Sequence, residues 1–220
     1  MTPASLVLDF PFHGRWLARN SPARRIPSHG THLLGTTYAI DFIPVDEAGR
    51  SAALTWRTLV SVEPPERFHG FGAPIVAPGS GEVVLAHDGE PDHEARRSAL
   101  TLLPYALGQA QRVRAGAAAI AGNHVVLSLG ENGPFVLLAH LRRGSVRVKA
   151  GDALDSGDHI GGCGNSGNST RPHVHVQATD SIDWPAARGL PIAFRRRGVD
   201  DGAGAGAPWI PNESEIVDAG

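Results

Sequence analysis

The sequence predicts a mainly β protein, an antiparallel sheet or sandwich with one helical segment inserted between its strands. Gly 27 and Pro 17 together make about a fifth of the 220 residues, a composition that favours turns over long helices. Short apolar runs also recur at close intervals between glycine turns, the pattern of antiparallel strands. One stretch breaks this pattern. Residues 92–114 are dominated by Ala, Leu, Arg and Gln and read as helix interrupted near Pro104, so an insertion is expected at about 88–120.

Taken in order, "SLVLDFPF" at 5–12 reads as a first strand ended by proline. "RNSPARRIPSHGTHLLGTT" is loop-like, and "YAIDFIPV" returns as a strand. "TWRTLVSVEP" fits a short strand or a turn. "GFGAPIVAPGSGEVVLAHDG" holds a turn, a short strand ending at Pro78, a glycine-rich turn and a strand over Glu82–Ala86. After the insertion the strand signals are "NHVVLSLG", "PFVLLAHL", "VRVKAGDAL", "HIGGCGNSGNS" and "PHVHVQATD". From about Arg195 the chain is glycine-rich and polar and reads as a loosely held tail, with Arg195–Arg197 a solvated charge cluster.

Composition removes several function classes. A hydrophobic content of 41% and a charged content of 19% fit a globular protein. The net charge of −2, with no long basic block, gives nucleic acid no footprint. Cys163 is the only cysteine, which excludes an internal disulfide and a thiolate metal cluster, so any metal must be held by histidine and carboxylate. No apolar run approaches the ~18 residues of a membrane span. The first residues, "MTPASLVLDFPFHGRW", lack a basic start followed by a long apolar region, so a secretory signal is not expected. That leaves a cytoplasmic protein, an unconventional export route or a chain already trimmed.

The chemistry concentrates in "RPHVHVQ". Flanking valines mark a strand, and period-two alternation turns His173 and His175 to one face with Val174 and Val176 on the other. Paired imidazoles suit a metal site or a proton-transfer pair. None of the eleven histidines follows His175, so a cupin-like site, which needs a downstream ligand, is excluded. Partners must come from upstream. "SHGTHLLGTTYAIDF" offers His29 and His32 before Asp41, a carboxylate in an apolar strand that requires a partner. His140 sits inside apolar "LLAHL", and "GNSGNSTRPH" leads into the final strand.

In this order, "H…D", "GAPIVAPGSGEVV", "NHVVLSLG", "LLAHL", "VKAGDAL" and "IGGCGNSGNSTRPHVHV" resemble the LytM/lysostaphin-type zinc endopeptidases, which are peptidoglycan hydrolases. The resemblance covers about residues 28–178. It implies a β-sandwich of the duplicated-hybrid-motif type and a division into an N-terminal extension (1–27) packed on the domain, a metallopeptidase-like β domain (28–194) and a flexible C-terminal tail (195–220). It also implies that Asp41 and His175 are zinc ligands with a histidine before Asp41 as the third, leaving an open position for a metal-activated water. His140 and His173 would then be the catalytic, non-ligand histidines. The family spacing is HxxxD, whereas here Asp41 follows His32 by nine positions and His29 by twelve. His29, in the compact "SHGT" turn, is the expected third ligand, with "THLLGTT" an excursion and His32 the alternative. The implied substrate is a peptidoglycan stem or cross-bridge peptide, which would place the protein at the cell envelope.

Other residues read more plainly. Cys163 is a small packed residue in a glycine turn. His13, His69, His87, His93, His124 and His159 are surface or core histidines, and Trp56, Trp184 and Trp209 core or cover residues. Asn165, Ser166, Asn168 and Ser169 bond their own loop and border a groove. Two other readings compete with the enzyme: a non-catalytic module binding cell wall or a partner on the same fold, and a histidine phosphocarrier. The second leaves Asp41 without a task.

Overall fold

The computed structural model describes residues 5–98, 100–102, 116–195 and 207–220. In chain order the strands are β1 (Leu6–Leu8), β2 (Gly14–Arg19), β3 (Ile40–Pro44), β4 (Pro74–Val76), β5 (Gly81–His87), β6 (Asn123–Ser128), β7 (Phe135–Leu141), β8 (Ala153–Leu154), β9 (His159–Gly162), β10 (Val174–Thr179), β11 (Gly189–Leu190), β12 (Ile192–Phe194) and β13 (Ile216–Ala219). A short α-helix, α1 (Ala117–Ala121), precedes β6. The main sheet runs β13-β2-β3-β10-β7-β6-β5-β8, with β11 on β10. Each of its ladders is antiparallel. β4 and β9 form a second antiparallel pair, while β1 and β12 pair in parallel. The chain is thus mainly β with antiparallel sheets, as predicted.

Alternation along the strands separates the two faces of the sheet. Ile40 and Phe42 of β3, Val174, Val176 and Ala178 of β10, Val136 and Leu138 of β7, and Val125 and Leu127 of β6 enter one apolar cluster with Trp16, Phe12 and Phe194. Fully burying each large side chain is worth about 1.5–3 kcal/mol, and this layer fixes the register of the central strands. The intervening residues of the same strands, Asp41, His175 and Gln177 among them, face the other way.

Several expectations are corrected. "GRWLAR", read as part of no strand, forms β2, because Trp16 and Ala18 are buried in the core on alternate positions. The first strand shortens to Leu6–Leu8, and "VRVKAGDAL" contributes only Ala153–Leu154. Trp56, read as core or cover, is 72% exposed in a 3-10 turn. The supposed C-terminal tail supplies β13, whose Val217 and Ala219 join the core against β2. The helix expected from Asp92 does not start there. Asp92 instead accepts backbone N–H bonds from Asn165 and Arg143, at 2.7 and 3.0 Å, and forms a bridge with Ser166. Residues 100–102 are helical, while the rest of that expected helix, 103–114, lies outside the described residues, as does the Arg196–Arg197 part of the basic cluster. No helix among the described residues is long and apolar enough to cross a membrane.

Candidate metal centre

β3 and β10 are adjacent and antiparallel, and their register sets Asp41 directly opposite His175. Cross-strand neighbours stand about 4.5–5.5 Å apart, close enough for a direct side-chain bond. His175 Nδ1 lies 2.9 Å from Asp41 Oδ1. The third member, His29, is twelve residues before Asp41 in the chain, and local hydrogen bonds close that gap. Ser28 donates its N–H to Thr37 O at 3.0 Å and its hydroxyl to Thr36 O at 3.1 Å, so residues between them bulge away as an excursion. Leu34 and Gly35 turn that excursion with positive φ. His29 Nε2 is thereby brought to 3.2 Å from Asp41 Oδ2. One ligand atom from each of His29, Asp41 and His175 lies within 4.8 Å of the others. His32 is exposed on the excursion and bonds Thr37 Oγ1 at 3.0 Å, apart from this cluster.

Outer contacts orient each member. Gln177, two residues past His175 on the same face, accepts a hydrogen bond from His175 Nε2 at 3.0 Å and donates its amide to Leu34 O at 3.0 Å. This leaves Nδ1 as the His175 nitrogen turned to Asp41. Asn20, at the end of β2, donates to Asp41 Oδ2 at 2.7 Å. His29 Nδ1 lies 3.1 Å from Ser28 Oγ. Burial alone would raise the Asp41 carboxyl, but His29, His173 and His175 overcome it and hold the group well below the usual carboxylate range. Burial pulls His175 down, yet the Asp41 hydrogen bond and charge leave it raised. A buried carboxylate facing several imidazoles requires a cation, either a proton or a metal. Two histidines and a carboxylate with fixed outer partners are a donor set that fits zinc.

His173 and His140 stand beside the cluster. His173 Nε2 is 3.7 Å from Asp41 Oδ1, and the His140 and His173 rings are 4.7 Å apart between centroids. His173 Nδ1 is 2.8 Å from Arg171 O, and His140 Nδ1 is 2.9 Å from Ser166 O. A carbonyl can only accept, so each ring carries its proton on Nδ1 and presents a bare Nε2. Burial, reinforced at His140 by His173 and His175, keeps both below the ordinary histidine value and therefore neutral.

His140 reaches this face through a break in regular pairing. In a regular β7 it would point into the core with Val136 and Leu138. Between Asn123–Leu141 and Val125–Leu138 the register shifts, and His140 has φ of 63°. This bulge puts one extra residue on β7, so His140 joins Ala139 on the site face while Leu141 returns to the core. The loop before β10 secures both histidines. Ser166 donates to Leu141 O at 2.8 Å and accepts the Asn123 N–H at 3.0 Å, while Asn165 donates to His93 O at 2.6 Å. Asn165 and Ser166 thus tie the loop to other segments rather than only to itself. Gly167, with φ of 66°, sits where a Cβ would collide with Ile120 O and the Gly122 backbone.

The structure therefore brings together His29, Asp41, His175, His140 and His173, and leaves His32 aside. Gln177, Asn20 and Ser28 were missed in the sequence. Gln177 could have been found by carrying the alternation of His173 and His175 one step further. Asn20 could not, because its approach depends on the unrecognised β2. Cys163 is buried, and burial pushes its thiol well above the ordinary value, which suits a packed residue.

Residues 105–187, the stretch that holds His140, His173 and His175, match the model of Peptidase family M23. No curated protein matches the chain. Among solved structures, the catalytic domain of lysostaphin from Staphylococcus simulans shares 20% identity over 71% of this chain and 78% of its own, with a TM-score of 0.39. A protein assigned to peptidase M23 from Pseudomonas aeruginosa shares 20% over 81% of this chain and 47% of its own, with a TM-score of 0.40. A zinc-containing peptidase from Vibrio cholerae shares 18% over 64% and 46%, with a TM-score of 0.31. The chain thus spans less than half the length of the last two.

Proposed function

Because the match to Peptidase family M23 supports identifying the chain as LytM/lysostaphin-type, we propose that it is a zinc-dependent metalloendopeptidase acting on bacterial cell-wall peptides. The scaffold in this reading is a β-sandwich of the duplicated-hybrid-motif type, and the place of action is the cell envelope. The observation that carries the proposal is the meeting of His29, Asp41 and His175 ligand atoms within 4.8 Å, with two neutral imidazoles beside them.

His29 Nε2, an Asp41 oxygen and His175 Nδ1 would hold the zinc ion, and three protein donors are the number that catalytic zinc sites use. Bound there, zinc supplies Lewis acidity towards water and towards the scissile carbonyl. The protein's own groups handle the protons. His173 Nε2, nearest to Asp41, accepts the proton of the attacking water. His140, on the bulge, stands next to it, with the two rings 4.7 Å apart between centroids. The proton so gained passes from His173 to the leaving amine, and the second water proton, taken up by the bare His140 Nε2 as the intermediate collapses to a carboxylate, leaves with the same amine. Gln177 and Asn20 keep the ligand atoms aimed inward, so no reorientation is needed during the reaction.

Elemental analysis of the purified protein tests this reading. The wild type is expected to hold about one zinc per chain. His175→Ala, Asp41→Ala and His29→Ala should lose it, while His32→Ala should keep it. His140→Ala and His173→Ala should keep the metal and lose hydrolysis by a factor of about 100 or more, the scale of a missing general acid or base. A wild type that takes up no zinc on reconstitution would overturn the peptidase reading.

A further inference from the structure

Asp41 is not the only residue of β3 that faces away from the core. Two residues on, about 7 Å along the strand, Ile43 points to the same side. There it borders a cavity of about 260 Å³ whose lining includes Leu17, Val45, Arg50, Arg97 and Arg171. The β2–β3 register locates this cavity against the metal centre, since Leu17 faces Ile43 and Arg19 faces Asp41. Its lining contains three arginines and no acidic residue.

The three arginines are not equivalent. Arg50 pairs with Asp46 at 3.0 Å, and Arg97 pairs with Glu63 at 2.7 Å. Arg171 is half-buried, and among the described residues no hydrogen bond or ion pair engages its guanidinium. Charges of both signs act on it. Burial and the charges of Arg19 and Arg97 pull the guanidinium below its ordinary value, opposed by Asp41. Its backbone is anchored, because His173 Nδ1 bonds Arg171 O at 2.8 Å. A guanidinium so placed, rooted beside a catalytic imidazole and without a partner among the described residues, is arranged to receive a planar anion.

We propose that this cavity is a substrate subsite in which Arg171 binds a carboxylate of the peptide, with Leu17, Ile43 and Val45 covering the aliphatic stem that carries it. The inference rests on the peptidase reading and narrows it, from peptides in general to peptides with an acidic group close to the cleaved bond. A bidentate contact is the expected geometry, so lysine replaces Arg171 only in part.

The test is a calorimetric titration of the full-length, metal-free protein with two blocked peptides that differ only in Glu against Gln. Inorganic phosphate serves as a third ligand. Wild type is expected to bind the Glu peptide about 10-fold or more tightly than the Gln peptide, the scale of a charge-assisted hydrogen bond. The preference should vanish in Arg171→Gln and survive in part in Arg171→Lys, while zinc uptake by both variants shows that they fold. Equal binding of the two peptides, or a preference that Arg171→Gln leaves intact, overturns the proposal. Phosphate binding as tight as that of the Glu peptide also overturns it, since the cavity would then be a general anion site. Hydrolysis by the zinc-loaded protein separates the two readings. Cleavage without a Glu preference removes the subsite alone. An Arg171-dependent binding preference without cleavage removes the peptidase alone.

Discussion

Gln177 has no chemistry to perform, yet it decides which nitrogen of His175 is turned to Asp41. Its Oε1 accepts from His175 Nε2 at 3.0 Å, and its amide is itself fixed on Leu34 O. Without that acceptor the imidazole can exchange tautomers and rotate. Gln177→Leu keeps the buried volume and is expected to weaken zinc affinity by about 10–100-fold, measured by competition with a chromogenic chelator. An unchanged affinity would mean that Asp41 alone fixes the ring. At this scale the sequence was informative where contact follows from alternation. His173 and His175 share a face because strands alternate, and Asp41 was conspicuous as a carboxylate among apolar neighbours. Asn20 and Arg171 were silent, since each acquires meaning only from a segment distant in sequence.

Among elements, those with strong apolar patterns were legible and those shaped by tertiary contacts were not. β3, β5, β6, β7 and β10 could be read because branched and aromatic apolar residues recur along each of them. β2 could not, since "GRWLAR" shows polar and small residues and is held as a strand by its neighbours. The bulge at His140 was equally hidden, because regular alternation places that ring in the core. The stretch after β5 shows tertiary structure overriding local propensity. Glu63 and Ala95 exchange backbone hydrogen bonds at 2.9 and 2.7 Å, and Arg97 grips the buried Glu63 carboxylate at 2.7 and 2.8 Å. This favours an extended segment where composition suggested helix. Glu63→Gln leaves a mostly buried guanidinium without its counter-charge, a change worth about 3–5 kcal/mol. That should lower Tm by roughly 10 °C for a protein of this size, read by calorimetry. The Arg97 hydrogen bonds, working against burial, hold the Glu63 carboxyl below its ordinary value. A lowered folded-state pKa makes the pair's contribution complete above the ordinary glutamate range. The contribution is lost as pH falls through the folded value. The stability gap between wild type and Glu63→Gln should therefore narrow on acidification, and a gap independent of pH would contradict this account.

Across the whole molecule, the ends of the described chain bear on its centre. Glycine-rich, polar composition suggested a loose tail, but composition could not reveal that the last residues complete a sheet edge. β13 covers β2, β2 covers β3, and β3 carries Asp41. The link continues through side chains. Ser21 donates its N–H to Glu213 Oε2 at 3.0 Å and its hydroxyl to Pro211 O at 2.5 Å. Next to Ser21, Asn20 bonds Asp41 Oδ2. A dispensable tail and a structural brace make different predictions for removal of residues 207–220. If the segment braces β2, its loss exposes Trp16 and removes the burial of Val217, worth about 1.5–3 kcal/mol for that side chain. Tm should then fall by at least about 3 °C. The zinc affinity of the protein that remains folded should also fall, because Asn20 loses the support that holds it on Asp41. Asn20→Ala in the full chain separates these effects. It should reproduce the loss of affinity with little change in Tm, since it removes the contact to Asp41 and leaves the sheet edge covered. A truncated protein with unchanged Tm and unchanged affinity would show that the edge strand contributes nothing to the centre.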